Sequence, residues 1–354
     1  MRIIHDSDAA YEDIMALALL LLNSDVAAVT VTYGESTTST GALNLERVCQ
    51  ALNPLKKIPV AYGDNRPVNP LFATPFPEFI TKEADNILDD TDVPPSTNSE
   101  ITNSAVELIY KTLMSSSEKT TIVATGPLTN IAQLLTQYPH CVDKIEKLVI
   151  MGGAVKVAGN ITDLIFDTDN LVAEWNIYAD RKAADIVFSS KNLQIMLVPI
   201  DITRQMPMTK AFYKRLADET LPPLKLVRDM LTSLLKGMGE KLFYEKLQFW
   251  DSLSAMITLN PSMAEFEKLP ISVDLSTGQT KINERPIIDV PPVYVAMKLL
   301  DPTSAYELFV KLLKTNLAHK QDVSHGVLLR DRFFAGNRLA TPGETFNSIE
   351  FTMN

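Results

Sequence analysis

The chain has 354 residues, 46% hydrophobic and 21% charged, enough apolar material for one large α/β domain or two smaller ones. Its formal charge of −10, with basic residues nowhere clustered, argues against a nucleic-acid-binding surface. Two cysteines, Cys49 and Cys141, without CxxC spacing, argue against a disulfide framework or a zinc site and fit a reducing cytosol.

The chain enters a strand at once, Met1 to His5, which leaves no room for a leader peptide. A helix is expected over Glu12 to Asn23. Its apolar run from Ile14 to Leu22 is about half a bilayer span, so it reads as a buried helix of a soluble, cytoplasmic protein. There follow a strand over Ala27 to Tyr33, a helix over Thr40 to Leu52 and a strand over Ile58 to Tyr62. Next come a helix over Glu100 to Ser115, a strand over Thr120 to Ala124, a helix over Leu128 to Tyr138, and strands over Leu148 to Met151 and Gln194 to Pro199. Continuously apolar strands separated by helices predict an open α/β fold, a mostly parallel central sheet flanked by helices. In such sheets ligands bind at the carboxyl ends of the strands. Residues 64–97, rich in Pro, Asp, Asn and Thr, read as a long surface loop, and residues 204–249 as a mobile helical excursion broken at Gly237-Met238-Gly239. With no repeat, low-complexity tract or linker, residues 1–354 read as one domain.

The turn after the first strand carries Asp6, Asp8, Glu12 and Asp13, four carboxylates that repel one another unless a cation sits among them. Oxygen-only ligands favour calcium or magnesium. The same residues also suit a capping turn, with Asp6 or Asp8 as the cap and Glu12 and Asp13 favouring the helix dipole. Taken alone, the turn leaves both readings open. Other strand ends carry Gly34-Glu35-Ser36, Thr125 to Asn130 and Gly152-Gly153-Ala154. Gly159-Asn160, Ala173 to Ile177 and Trp250-Asp251 follow.

These segments together resemble the inosine-uridine nucleoside hydrolases. That family's DxDxxxDD signature stands here as Asp6, Asp8, Glu12 and Asp13, with glutamate at its third acid. TGPLTNIA at 125–132, VIMGGAV at 149–155, GN at 159–160, AEWNI at 173–177 and WDSLSA at 250–255 extend the likeness over nearly the whole chain. The resemblance implies a calcium ion held by Asp8, Asp13, the Thr125 carbonyl and Asp251, with Asp8 as general base toward calcium-bound water. It implies ribose contacts from Glu12, Asn160, Glu174 and Asn176, with Asp6 orienting the others. Glu35 stands where many relatives have asparagine, and if it faces Glu12 one of the two remains protonated. Breaking an N-glycosidic bond builds positive charge on the ribose, which suits carboxylates and disfavours phosphorylated substrates.

Pyrimidine-cleaving and broad-specificity relatives commonly have histidine where Trp250 stands. Tryptophan there, with AEWNI, resembles the branch that stacks a purine between aromatic rings and lets solvent protonate it. Trp250 is thus a candidate for one face of the base and Phe79 for the other, the plainer readings being a core aromatic and an ordinary loop residue. None of His5, His140, His319 and His325 is given a role. The expected activity is hydrolysis of purine ribonucleosides to ribose and base, by a homo-oligomer with a dimer favoured over a tetramer. The rivals are a non-catalytic nucleoside-binding relative and a haloacid-dehalogenase-like phosphotransferase using Asp6.

Overall fold

The computed structural model describes residues 1–96, 100–164, 168–283 and 290–315, and Met1–Thr315 form one compact unit. His319, His325 and the part of the expected domain beyond Thr315 lie outside the described residues.

The first half alternates strands and helices: β1 (Arg2–Ser7), α1 (Tyr11–Asn23), β2 (Asp25–Val31), α2 (Thr38–Leu52), β3 (Val60–Tyr62), α3 (Glu78–Asp85), α4 (Ala105–Met114), β4 (Thr120–Ala124), α5 (Thr129–Gln137) and β5 (Ile145–Met151). Next come α6 (Trp175–Ala179), α7 (Arg181–Phe188), β6 (Ile195–Val198), α8 (Ile200–Thr203), α9 (Lys210–Arg215), α10 (Pro222–Lys246) and α11 (Trp250–Leu259). The described chain ends with β7 (Ala264–Leu269), β8 (Ile271–Val273), β9 (Thr280–Ile282), β10 (Val293–Leu299) and α12 (Pro302–Leu313).

Eight strands form one sheet in the order β3-β2-β1-β4-β5-β6-β10-β7, parallel throughout except for the antiparallel edge strand β7. The mostly parallel sheet inferred from the apolar strand runs is therefore present. From β1 the chain steps outward through β2 and β3, then returns to β1's other side and steps the opposite way. The reversal lies between β1 and β4, so the crevice of an open α/β sheet opens where those two strands end. The acidic turn follows β1, and the Thr125-Gly126 turn follows β4.

Helix α1 explains the depth of this crevice. Tyr11 through Leu22 are all buried, because α2, α10, α11 and α12 surround it. Its acids sit in the first turn, and its Asn23 amide closes the far end by donating to the Leu19 and Leu312 carbonyls at 2.8 and 3.0 Å. The capping reading of the acidic turn is overturned: the N-cap is Ala10, whose N–H donates to the Asp13 carboxylate at 2.8 Å, while Asp6 and Asp8 bond elsewhere.

The segment expected as a surface loop at 64–97 contains α3, and its anchor is specific. Asp85 accepts from both the N–H and the hydroxyl of Thr37 at 2.8 Å, pinning α3 to the start of α2. Helix α10 begins at Pro222-Pro223, where a missing N–H costs nothing. It departs from helical geometry at Gly239 (φ 81°, ψ 158°), inside the expected break. The sequence reading did not anticipate β10, nor β7, whose charged AEFEKL pattern suits an exposed edge, nor the three-residue strands β8 and β9. No helix among the described residues is long and apolar enough to cross a membrane.

Leu17, fully buried in α1, should destabilise the fold by about 2–5 kcal/mol when changed to Ala, whereas Leu55→Ala, at a residue 77% exposed, should stay within about 0.5 kcal/mol. Urea titrations of the two variants measure the difference.

Candidate active site

A cavity of about 490 Å³ opens at the switch point. Its floor carries Asp8, Tyr11, Glu12, Asp13 and Asp251, one side carries Asn160, Glu174 and Asn176, and Trp250 stands in its wall. The turns after β1, β4 and β5 and the starts of α1, α6 and α11 thus deliver their functional side chains to one place.

Asp8 is held by close backbone. Its carboxylate accepts from the Glu35 N–H at 3.0 Å. A Cβ on Gly34 would lie 2.2 Å from its Oδ2, and one on Gly126 would lie 2.9 Å from its Cβ. The neighbouring Ala9 has φ 62°, a left-handed conformation strained for a residue with a Cβ, and it turns the chain from Asp8 into α1. Asp13 accepts from the Thr125 hydroxyl at 2.5 Å as well as from Ala10. Because that hydroxyl donates to Asp13, it accepts from His5 Nε2–H at 2.9 Å. Burial drops the His5 pKa to about 3, so the ring is a neutral support.

Asp6 lies beneath this layer. Its Oδ1 accepts from Thr30 Oγ1 at 2.6 Å and Asn130 Nδ2 at 2.8 Å, and its side chain is buried away from the cavity. Burial pushes its carboxyl up to about 7. That placement suits a support and removes the ground for a phosphotransferase nucleophile. Glu174 caps α6 and accepts from the N–H groups of Gly153, Asn176 and Ile177 at 2.8, 3.0 and 3.2 Å, which fixes its orientation at the cavity. Asn160 is brought beside it across 13 intervening residues, its amide oxygen accepting from the Trp175 N–H at 3.1 Å. Asn176 donates to the Thr125 and Met151 carbonyls at 3.2 and 3.3 Å.

The electrostatics are dominated by burial and like charge. Asp8 and Asp251 are held well above the usual carboxylate range by burial and then by the charge of Asp13. Burial, then Asp13, raises Glu12, and burial, then Glu12, raises Glu35. Burial raises Asp13 as well, to about 6, against the hydrogen bonds that it accepts from Thr125 and Ala10. Among the described residues, no three His, Cys, Asp or Glu side chains already close around a point where an ion would sit. The donor set is nevertheless one a hard cation takes. It consists of carboxylate and carbonyl oxygens, and the mutual repulsion of the carboxylates is what a positive charge among them would relieve.

Trp250 begins α11 and packs on Met151, Ala154 and Ile200. Phe79 reaches the same cavity from α3 but is 59% exposed. The sequence reading missed Ile80 and Glu83 of α3, Ile87 just after it, and Met238 and Leu242 of α10, which line the same cavity. The spacing of Ile80, Glu83, Ala84 and Ile87 is a helical face, a signal hidden by the Pro- and Asp-rich composition around it. Lys246 and Asp163, both lining the cavity, pair at 2.5 Å.

Gly34→Ala should leave the fold intact yet displace Asp8, lowering the nucleoside hydrolysis expected from the sequence by about a hundredfold or more. Ribose release and circular dichroism on the same preparation check both halves.

A family model described as inosine-uridine preferring nucleoside hydrolase matches residues 3–307. The pyrimidine-specific ribonucleoside hydrolase RihA of Salmonella typhi is 35% identical over 240 residues, 65% of this chain and 70% of that protein. The same-named protein of Escherichia coli is 34% identical over 262 residues, 72% and 76% of the two chains. The fold is shared with a purine-preferring ribonucleoside hydrolase from Gardnerella vaginalis, with TM-score 0.74 and 24% identity over 88% of this chain and 98% of that one. It is also shared with the inosine-uridine preferring nucleoside hydrolase of Bacillus anthracis, with TM-score 0.71 and 22% identity over 89% and 99%. The chain belongs to the inosine-uridine preferring nucleoside hydrolase family.

Proposed function

We propose that this protein hydrolyses the N-glycosidic bond of purine ribonucleosides with a bound calcium ion, releasing ribose and the free base. The observation that carries the reading is the convergence of Asp8, Glu12, Asp13 and Asp251 on one cavity that Trp250 also lines. Asp8, Asp13 and Asp251, with the Thr125 carbonyl, would hold calcium. When bound, it supplies a positive charge that attracts hydroxyl oxygens and acidifies water.

The chain's own groups divide the remaining work. Asp8, fixed between Gly34 and Gly126, accepts the proton of the attacking water. Glu12, Asn160, Glu174 and Asn176 hold the ribose hydroxyls. The negative field of the floor stabilises the positive charge that grows on the ribose as the bond breaks. That field repels phosphate, so nucleosides are favoured over nucleotides. Trp250 stacks on the base, and Ile80, Ile87, Met238 and Leu242 give the cavity an apolar wall suited to a purine's larger surface. Phe79 is the second aromatic candidate.

The name of the Gardnerella vaginalis protein accords with the purine reading, and the names of the RihA relatives oppose it. Ribose release from inosine, adenosine, guanosine and uridine decides between them. Purines should be cleaved faster, chelation should abolish the activity and added calcium restore it; no release from any of the four would overturn the hydrolase reading. Asp8→Ala should lower kcat by at least about a thousandfold, and Trp250→Ala should reduce kcat/KM for inosine about tenfold more than for uridine. Calcium titration calorimetry of Asp251→Asn should show weakened binding independently of turnover.

A further inference from the structure

A departing purine leaves poorly as an anion and gains from a proton at its ring nitrogen. Among the described residues, no histidine lines the cavity: His5 is sealed against Thr125, and His140 lies against Tyr110 on another face. If the sugar lies on the carboxylate floor, the base lies against the outer wall. Trp250, Met238 and Leu242 line the cavity together with Ile80 and Glu83 of α3 and Ile87 just beyond its end.

We propose that Glu83 is the proton donor to the departing base, an assignment that rests on the hydrolase reading above. Three observations single it out from the other cavity groups. Lys246 is engaged with Asp163. Glu35 belongs to the floor, where its own N–H binds Asp8 and where Glu12, Asp13 and Glu174 bear on its charge. The Tyr11 hydroxyl is buried without a hydrogen-bond partner, and burial with Glu12, Glu35, Asp251 and Glu83 around it holds its proton too tightly for release. Glu83 alone combines a place on the outer wall, a side chain open to solvent and a carboxyl raised by partial burial. Its charge also bears on Glu12, Glu35 and Tyr11, which places it within electrostatic reach of the carboxylate cluster.

The step balances without a further reactant. As the C1′–N bond breaks, its electron pair goes to the base nitrogen, which takes the Glu83 carboxyl proton and leaves as neutral base. Water's oxygen bonds to C1′ and its proton goes to Asp8. Glu83 is reprotonated from solvent, and Asp8 returns its proton there.

The test compares inosine with p-nitrophenyl riboside, whose nitrophenolate leaves without a proton. In Glu83→Gln, which keeps the shape but has no proton to give, the ratio of kcat on inosine to kcat on p-nitrophenyl riboside should fall about a hundredfold. An equal fall on both substrates would assign Glu83 to ribose positioning, and an unchanged ratio with full activity would remove it from the chemistry; either overturns the proposal. Wild-type protein inactive on both substrates would instead overturn the hydrolase reading itself.

Discussion

The constraint on which the site depends is the confinement of Asp8, Asp13, Glu12 and Asp251 in one buried place. Each is 7% exposed or less, and each bears on the charge of another. Buried like charges are costly unless they share protons or meet a cation. Burial raises the proton affinity of all four, and their mutual charge raises that of Asp8, Glu12 and Asp251 further. A divalent cation would favour their charged form as oxygen ligands and so compete with protons for the same oxygens. Cation affinity and proton release are therefore opposite sides of one equilibrium in this fold.

The sheet makes such a costly arrangement sustainable. Strands β1 and β4 pair in register from Ile3–Thr121 to Asp6–Ala124, so the two turns that follow begin at the same level. The Thr125 N–H then donates to the Asp6 carbonyl at 2.9 Å, and its hydroxyl holds Asp13. Beneath them Thr30 and Asn130 satisfy one oxygen of Asp6, and Gly63 lets Asn130 approach, since a Cβ there would lie 2.1 Å from its amide oxygen. Strain at Ala9 and close approach at Gly34 and Gly126 are tolerated because the buried α1, apolar from Ile14 to Leu22, anchors the turn from the other side. Packing in the core supplies what the local backbone gives up at the site.

The strand-end turns were legible in the sequence because their chemistry is unusual for their position. An apolar strand running into four carboxylates, or Glu174-Trp175-Asn176 after a small residue, stands out against ordinary turn composition. The cap reading failed for the same reason that it was reasonable: acids at a helix start favour the dipole wherever they point. Only the fold shows that Asp13 takes the Ala10 N–H while Asp6 turns back to Thr30 and Asn130. Helix α3 was hidden because its single short apolar face lies among prolines and acids, and its hold comes from Thr37, 48 residues before Asp85. Three C-terminal strands were hidden because β8 and β9 are three residues each and β7 is half charged.

The wall and the floor of the cavity are mechanically joined. Asp85 of α3 grips Thr37 immediately after the Gly34-Glu35-Ser36 turn, and that turn is the one that touches Asp8 through the Glu35 N–H. Ser36 N–H also donates to the Asp8 carbonyl at 3.1 Å. A displacement of α3 therefore acts on the backbone that fixes Asp8, and the outer wall carrying Ile80, Glu83 and Ile87 is not an independent flap. The opposite wall differs. Its α10 residues Met238 and Leu242 flank the non-helical Gly239, which has no atom within 4 Å of where a Cβ would stand and so is required for its φ rather than for space. One side of the cavity is thus tied to the catalytic floor by hydrogen bonds, while the other can adjust at a glycine. In such a site, tight ribose geometry and tolerance toward the base are set by different parts of the fold.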